Sequence, residues 1–244
     1  MWADQLALAL RPRPMMEAAD LGARIVQREA RTLARSYLPA AALTMMLAAS
    51  TWWWNPLAPS LVLLILKPWL DRALLLVFAR TAFGQSVTAR EIWQSDGLLN
   101  LRGLLRALTL ARLSPWRAYT QPVDQLEGQR GPAGRKRRAL LLRGKRGVAM
   151  LQQAMFSQIE LLLTVALMSL LYWLTPFDPV NTSNRWGGFF EDDTMAYLFA
   201  ASQLLVATVL EPFFVAAGFS MYLNRRVELE AWDVEQELRR AFAL

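Results

Sequence analysis

Leu66-Lys67-Pro68-Trp69-Leu70 interrupts one long apolar run, and Leu210-Glu211-Pro212-Phe213-Phe214 interrupts another much later in the chain. In water, a charge followed by proline would mark a turn. Here both dipeptides lie inside stretches long enough to cross a bilayer, which takes about 20 residues of helix. An ionisable residue at that depth is costly and needs a partner. The two interruptions therefore mark the candidate functional centre of a polytopic membrane protein.

Composition agrees with this reading. The chain has 244 residues, 55% of them hydrophobic, and ten Trp, which is too apolar for an ordinary soluble domain and suits a single membrane bundle. With neither Cys nor His, it lacks disulfides, thiolate ligands and the commonest general base and zinc ligand. No catalytic residue, metal site or cofactor is implied, although a Ser, Lys or carboxylate enzyme remains chemically open.

The fold class is all-α, with four spans at about residues 36–54, 57–83, 148–174 and 194–223. Cytoplasmic segments 1–35, 84–147 and 224–244 flank them, and an acidic external loop covers 175–193. No cleavable signal is expected, because Asp4 and Arg11-Pro12-Arg13-Pro14 break the N-terminal apolar residues. Lys67 and Arg72 lie within the second span and Arg185 in the external loop, and the other Lys and Arg fall on one side. That side is the expected cytoplasm, with both termini inside and the chain multi-pass in a bacterial inner membrane. Trp52, Trp53, Trp54, Tyr172 and Trp173 cluster at the expected outer ends, as interfacial aromatics do.

A net charge of +7 raises the possibility of nucleic acid, with Arg135, Lys136, Arg137, Arg138, Arg143, Lys145 and Arg146 as the patch. Their place just before a span favours orientation in the membrane, with anionic lipid headgroups as contacts, and disfavours nucleic acid. Glu17, Asp20, Arg24, Arg28, Arg31 and Arg35 share one arc of a helix, with Ala18, Ile25, Val26, Ala30 and Leu33 opposite. Such a helix either lies on the membrane surface or packs on the protein itself. Thr88 and Glu91 have capping-box spacing. A Leu-rich helix is expected from Ser95 or Asp96 to Ser114, and residues 120–134, rich in Pro and Gly, read as a loop. The acidic tail helix, with Glu228, Glu230, Asp233, Glu235 and Glu237, is expected to dock on the basic loop or to present a surface to a membrane or cytoplasmic partner protein.

Depth follows from helical rise. Counted inward from the outer ends, Lys67 lies about 16 Å deep, Asp71 and Arg72 about 22 to 24 Å, Glu160 about 21 Å and Glu211 about 25 Å. All fall in the inner half of a core about 30 Å thick. Unpaired, these charges would cost on the order of 15 kcal/mol, as much as a domain's whole stability. Lys67 or Arg72 is therefore expected to face Glu160 or Glu211, with Asp71 paired inside its own helix. Pro68 and Pro212 should kink their helices and free the carbonyls of Leu64 and Thr208. Either the cluster fixes helix register, or it forms a proton, ion or anionic-substrate site.

The two halves also read as a parallel duplication: each has an Arg-rich segment, a span, an external loop, and a span carrying Leu-charge-Pro-aromatic. Arg11-Pro12-Arg13-Pro14-Met15-Met16-Glu17-Ala18-Ala19-Asp20-Leu21-Gly22 and the run from Glu211 through Tyr222-Leu223-Asn224-Arg225-Arg226 to Asp233 resemble uncharacterised proteobacterial inner-membrane proteins of the kind encoded near MoxR-type AAA+ ATPases. The second run is also distantly similar to the membrane domain of glycerophosphodiester phosphodiesterases. The resemblance carries no catalytic motif and implies an accessory or scaffold role in a membrane complex. An intramembrane transporter is the alternative, and a lipid-acting enzyme the third.

Overall fold

A computed structural model describes residues 13–82, 84, 85, 88, 90, 91, 114–174 and 193–230. Among them the chain is all-helical, with seven helices and no strand. In chain order these are α1 (Met15–Arg28), α2 (Ala30–Ala49), α3 (Ala58–Ala82), α4 (Arg117–Gln125), α5 (Gly131–Leu142), α6 (Arg146–Leu174) and α7 (Thr194–Glu230). The Leu98–Leu113 segment, nearly all of the external loop and the tail beyond Glu230 lie outside the described residues.

Two helices, α6 and α7, are long and apolar enough to cross a membrane. Every 18-residue window of α3 contains Lys67, Asp71 and Arg72, which lowers its apolar character without shortening it. The two long helices differ in setting: 6% of the most apolar window of α6 is buried, against 72% for α7. Thus α7 is the central post and α6 a peripheral helix laid along it.

The inner half of α7 is enclosed. From Phe214 to Asn224 every residue is buried, and the enclosing core includes Leu74, Leu75, Phe78, Tyr119, Val123 and Leu141. The most extensive neighbour of α7 is α1, which runs antiparallel to it. The Arg13 amide donates to Asn224 Oδ1 at 2.9 Å and Asn224 Nδ2 donates back to the Arg13 carbonyl at 2.8 Å. Farther along, Gly22 lies against the backbone of Ala216 and Ala217, where an added Cβ would stand 2.5 Å from main-chain atoms. Small residues permit this close backbone approach.

The charged arc of α1 and early α2 is exposed as its periodicity requires, while Ala18, Val26 and Leu33 are buried. Its apolar side, however, packs on α7 and so belongs to the bundle. The helix found where the first span is expected begins and ends earlier than 36–54: α2 opens at Ala30 and closes at Ala49, leaving Trp52, Trp53 and Trp54 in the following turn.

The expected loop at 120–134 is largely helix. Pro132 stands in the first turn of α5, where a missing N–H costs nothing, and Gly128 and Gly131 take positive φ in the connecting turn. The other two breakers lie inside helices, Pro122 in α4 and Gly134 in α5, where Gly134 is buried against the backbone of Gln129. Tyr119 Oη donates to the Leu141 carbonyl at 3.0 Å and ties α4 to α5.

Candidate functional site

On α3, Lys67 and Asp71 are four residues apart and share a face. Lys67 Nζ reaches Glu160 on α6 at 2.7 Å and Glu211 on α7 at 3.0 Å. One ammonium thus joins three helices. Lys67, Glu160 and Glu211 thus meet in one place.

Asp71 is not paired within α3. Its partner is Arg117, at the start of α4, whose Nη2 lies 3.0 Å from Asp71 Oδ2 and 4.0 Å from Glu211 Oε1. The guanidinium also sits 5.7 Å from the centre of the Phe214 ring, a cation–π distance. Arg72 joins none of these pairs, contrary to expectation. One residue past Asp71, it is turned about 100° round the helix, and its carbonyl instead accepts from Gln125 Nε2 at 2.8 Å.

The set is therefore Lys67, Asp71, Arg117, Glu160 and Glu211. Asp71 and Glu211 are buried to 1% and 2% exposure, while Lys67, Arg117 and Glu160 keep some access. Beside them lies a cleft of about 180 Å³, lined in part by Lys67, Arg117, Gln153, Ser157, Glu160 and Glu211. Asp71 sits behind this lining.

Pro68 and Pro212 are both inside continuous helices. Pro212 has no N–H to offer the carbonyl of Thr208, and that carbonyl accepts instead from Tyr37 Oη at 3.2 Å. A proline in the last helix thus creates the acceptor that binds α2.

The cytoplasmic cations divide into two groups. Arg137 pairs with Glu127 at 2.8 Å and with Glu230; Arg138 pairs with Asp124 at 2.9 Å, and Lys145 with Glu228 at 3.3 Å. The docking of basic segment on acidic tail is realised at Glu228 and Glu230. Partial burial pushes the Glu230 carboxyl up, but hydrogen bonds from Arg226 and Arg137 outweigh this and hold it below the usual carboxylate range. Arg135, Lys136, Arg143 and Arg146 remain exposed with no ion pair among the described residues. The capping-box pair also forms, the Glu91 amide donating to Thr88 Oγ1 at 3.4 Å.

Arg117 and Tyr37 escaped the sequence reading. The available signal was arithmetic: once Arg72 faces away, a single cation cannot balance three carboxylates. No family model, curated protein or solved structure matches the chain.

Proposed function

We propose that the chain is a four-span protein of the bacterial inner membrane, with both termini cytoplasmic, that acts without catalysis as a scaffold or accessory subunit of a membrane complex. The observation carrying this reading is how the charges are used. The intramembrane set is paired across α3, α4, α6 and α7, while one face of the cytoplasmic layer keeps its cations unengaged.

Arg135, Lys136 and Leu140 are exposed on α5, Arg143 is exposed just past its end, and Arg146 and Met150 are exposed at the start of α6. Cations beside apolar side chains suit an inner-leaflet surface, where each cation contributes about 1 kcal/mol with anionic headgroups. Support for the spans comes from exposed apolar side chains such as Met46 on α2, Leu61 on α3, Leu162 on α6 and Val209 on α7, a belt too extensive for water. Trp53, Trp54 and Trp173 are 95%, 90% and 70% exposed at one end of it, as membrane-interface anchors would be. Lys67 and Glu211, equivalent members of the two Leu-charge-Pro-aromatic motifs, touch each other, which favours a duplication about an axis passing between them.

Affinity purification from native membranes tests the role. One variant lacks residues 231–244, and another carries Gln at positions 135, 136, 143 and 146. A scaffold should lose a protein partner in at least one variant; identical recovery from both counts against it. The cleft beside Lys67 favours transport as a second reading. Wild type, Lys67→Met and Glu211→Gln in proteoliposome flux assays test that, and an inert wild type removes it.

A further inference from the structure

The buried cluster does not balance. Lys67 and Arg117 supply two positive charges against three carboxylates, Asp71, Glu160 and Glu211. Glu160 and one oxygen of Glu211 are satisfied by Lys67 at 2.7 Å and 3.0 Å. Among the described residues, Glu211 Oε1 and both oxygens of Asp71 are buried without a hydrogen-bond donor. These two carboxyl groups are within hydrogen-bonding reach of each other, and Arg117 Nη2 lies between them, 3.0 Å from Asp71 Oδ2 and 4.0 Å from Glu211 Oε1.

Two buried carboxyl groups side by side can bond only if one carries a proton, since ionised carboxylates are acceptors alone. Leaving those oxygens unsatisfied costs more than an ordinary lost hydrogen bond because they are charged. A shared proton relieves both problems. It supplies the missing donor and brings the cluster to neutrality.

We propose that Asp71 and Glu211 form a reversible binding site for one proton, exchanged with water through the adjoining cleft. Glu211 lines that cleft and Asp71 lies behind it, so Glu211 is the group that meets water. In uptake an O–H bond forms at Glu211 Oε1 and the O–H of a hydronium breaks, leaving water, with no redox change. The proton then donates to Asp71. Charged and titratable neighbours come from each helix packed there: Tyr37 on α2, Lys67 on α3, Arg117 on α4 and Glu160 on α6, with Arg72 on α3 acting on Asp71 from a distance but paired with neither carboxyl group. No group of three or more acidic, His or Cys side chains is arranged for a metal ion among the described residues, which favours a proton over a divalent cation. This site is independent of whether the protein has a partner.

Infrared spectroscopy of the full chain in lipid nanodiscs at neutral pH, without added sodium, tests the proposal. A protonated-carboxyl C=O stretch that shifts in D₂O is expected in wild type and in Glu160→Gln. Loss of the band is expected in Glu211→Gln and Asp71→Asn. Because either variant could misfold, Glu211→Asp serves as a milder probe and should move the band without abolishing it. Absence of the band in wild type overturns the proposal, as does its persistence unmoved in the Glu211 variants. Its disappearance on adding sodium at constant pH would assign the position to an alkali cation and equally overturn it.

Discussion

At the scale of single residues, Lys67 has the largest consequence. Its ammonium bridges Glu160 and Glu211, at 16% exposure itself. Removing one partner of a buried pair strands the others, which costs about 3 to 5 kcal/mol. Lys67→Met should therefore lower the thermal midpoint sharply in detergent, and adding Glu160→Gln and Glu211→Gln should recover part of the loss. Arg117→Gln should approach the Lys67 effect while Arg72→Gln stays small, although only Arg72 looks intramembrane from sequence. A recovery that fails in the triple variant would mean that the loss does not come from stranded carboxylates. Lys67, Glu160 and Glu211 were legible because apolar surroundings make a charge conspicuous and helical rise fixes its depth. Arg117 was not, because an arginine in a basic cytoplasmic segment is unremarkable until the chain folds back beneath the cluster.

At the scale of elements, α7 depends on two absent side chains. Gly22 of α1 meets the backbone of Ala216 and Ala217, and Gly218 of α7 meets Ala118 of α4, where an added Cβ would stand 2.6 Å from Ala118 Cβ and 2.7 Å from its carbonyl. Alanine is the better helix former by about 1 kcal/mol at an exposed site. Here the clash with backbone reverses that preference, and Gly22→Ala and Gly218→Ala should each destabilise by about 1 to 3 kcal/mol. Chemical unfolding in mixed micelles would show it, with Gly147→Ala, which meets nothing within 4 Å, as the control. Tyr37→Phe should cost about 1 kcal/mol by leaving the Thr208 carbonyl without its donor. The long helices and the amphipathic arc of α1 could be read from periodicity, which is local. Their partners could not: the same apolar stripe of α1 suits a lipid surface or a helix, and only the small residues facing it on α7 decide between them. The helices at 117–125 and 131–142 were hidden for another reason, since proline and glycine mark helix starts as readily as loops.

At the scale of the whole molecule, the layer formed by α4 and α5 is held to the long helices through carboxylates that end α7 and meet α5. Glu230 accepts from Arg226 at 2.6 Å and from Arg137, which also grips Glu127. Tyr222 Oη adds a donor to Glu127 at 2.6 Å. Because the Glu230 carboxyl is held below its unfolded value by these partners, its contribution is fully present above that value. It is lost as pH falls through the lower, folded value, when protonation removes the acceptor. The layer should therefore loosen at the acid end of the carboxylate range while neutral and mildly alkaline pH leave it intact. Since the chain has no Cys, spin labels can be placed singly at the exposed positions 20 on α1 and 136 on α5. Their distance distribution should be narrow at neutral pH and broaden on acidification. Arg137→Gln withdraws one of the groups that depress Glu230, so broadening should begin at higher pH. Glu230→Gln should broaden the distribution already at neutral pH and weaken its pH dependence. A transition unchanged in both variants would show that apolar packing of Tyr119, Leu141 and Tyr222, and not the ion-pair set, closes the layer.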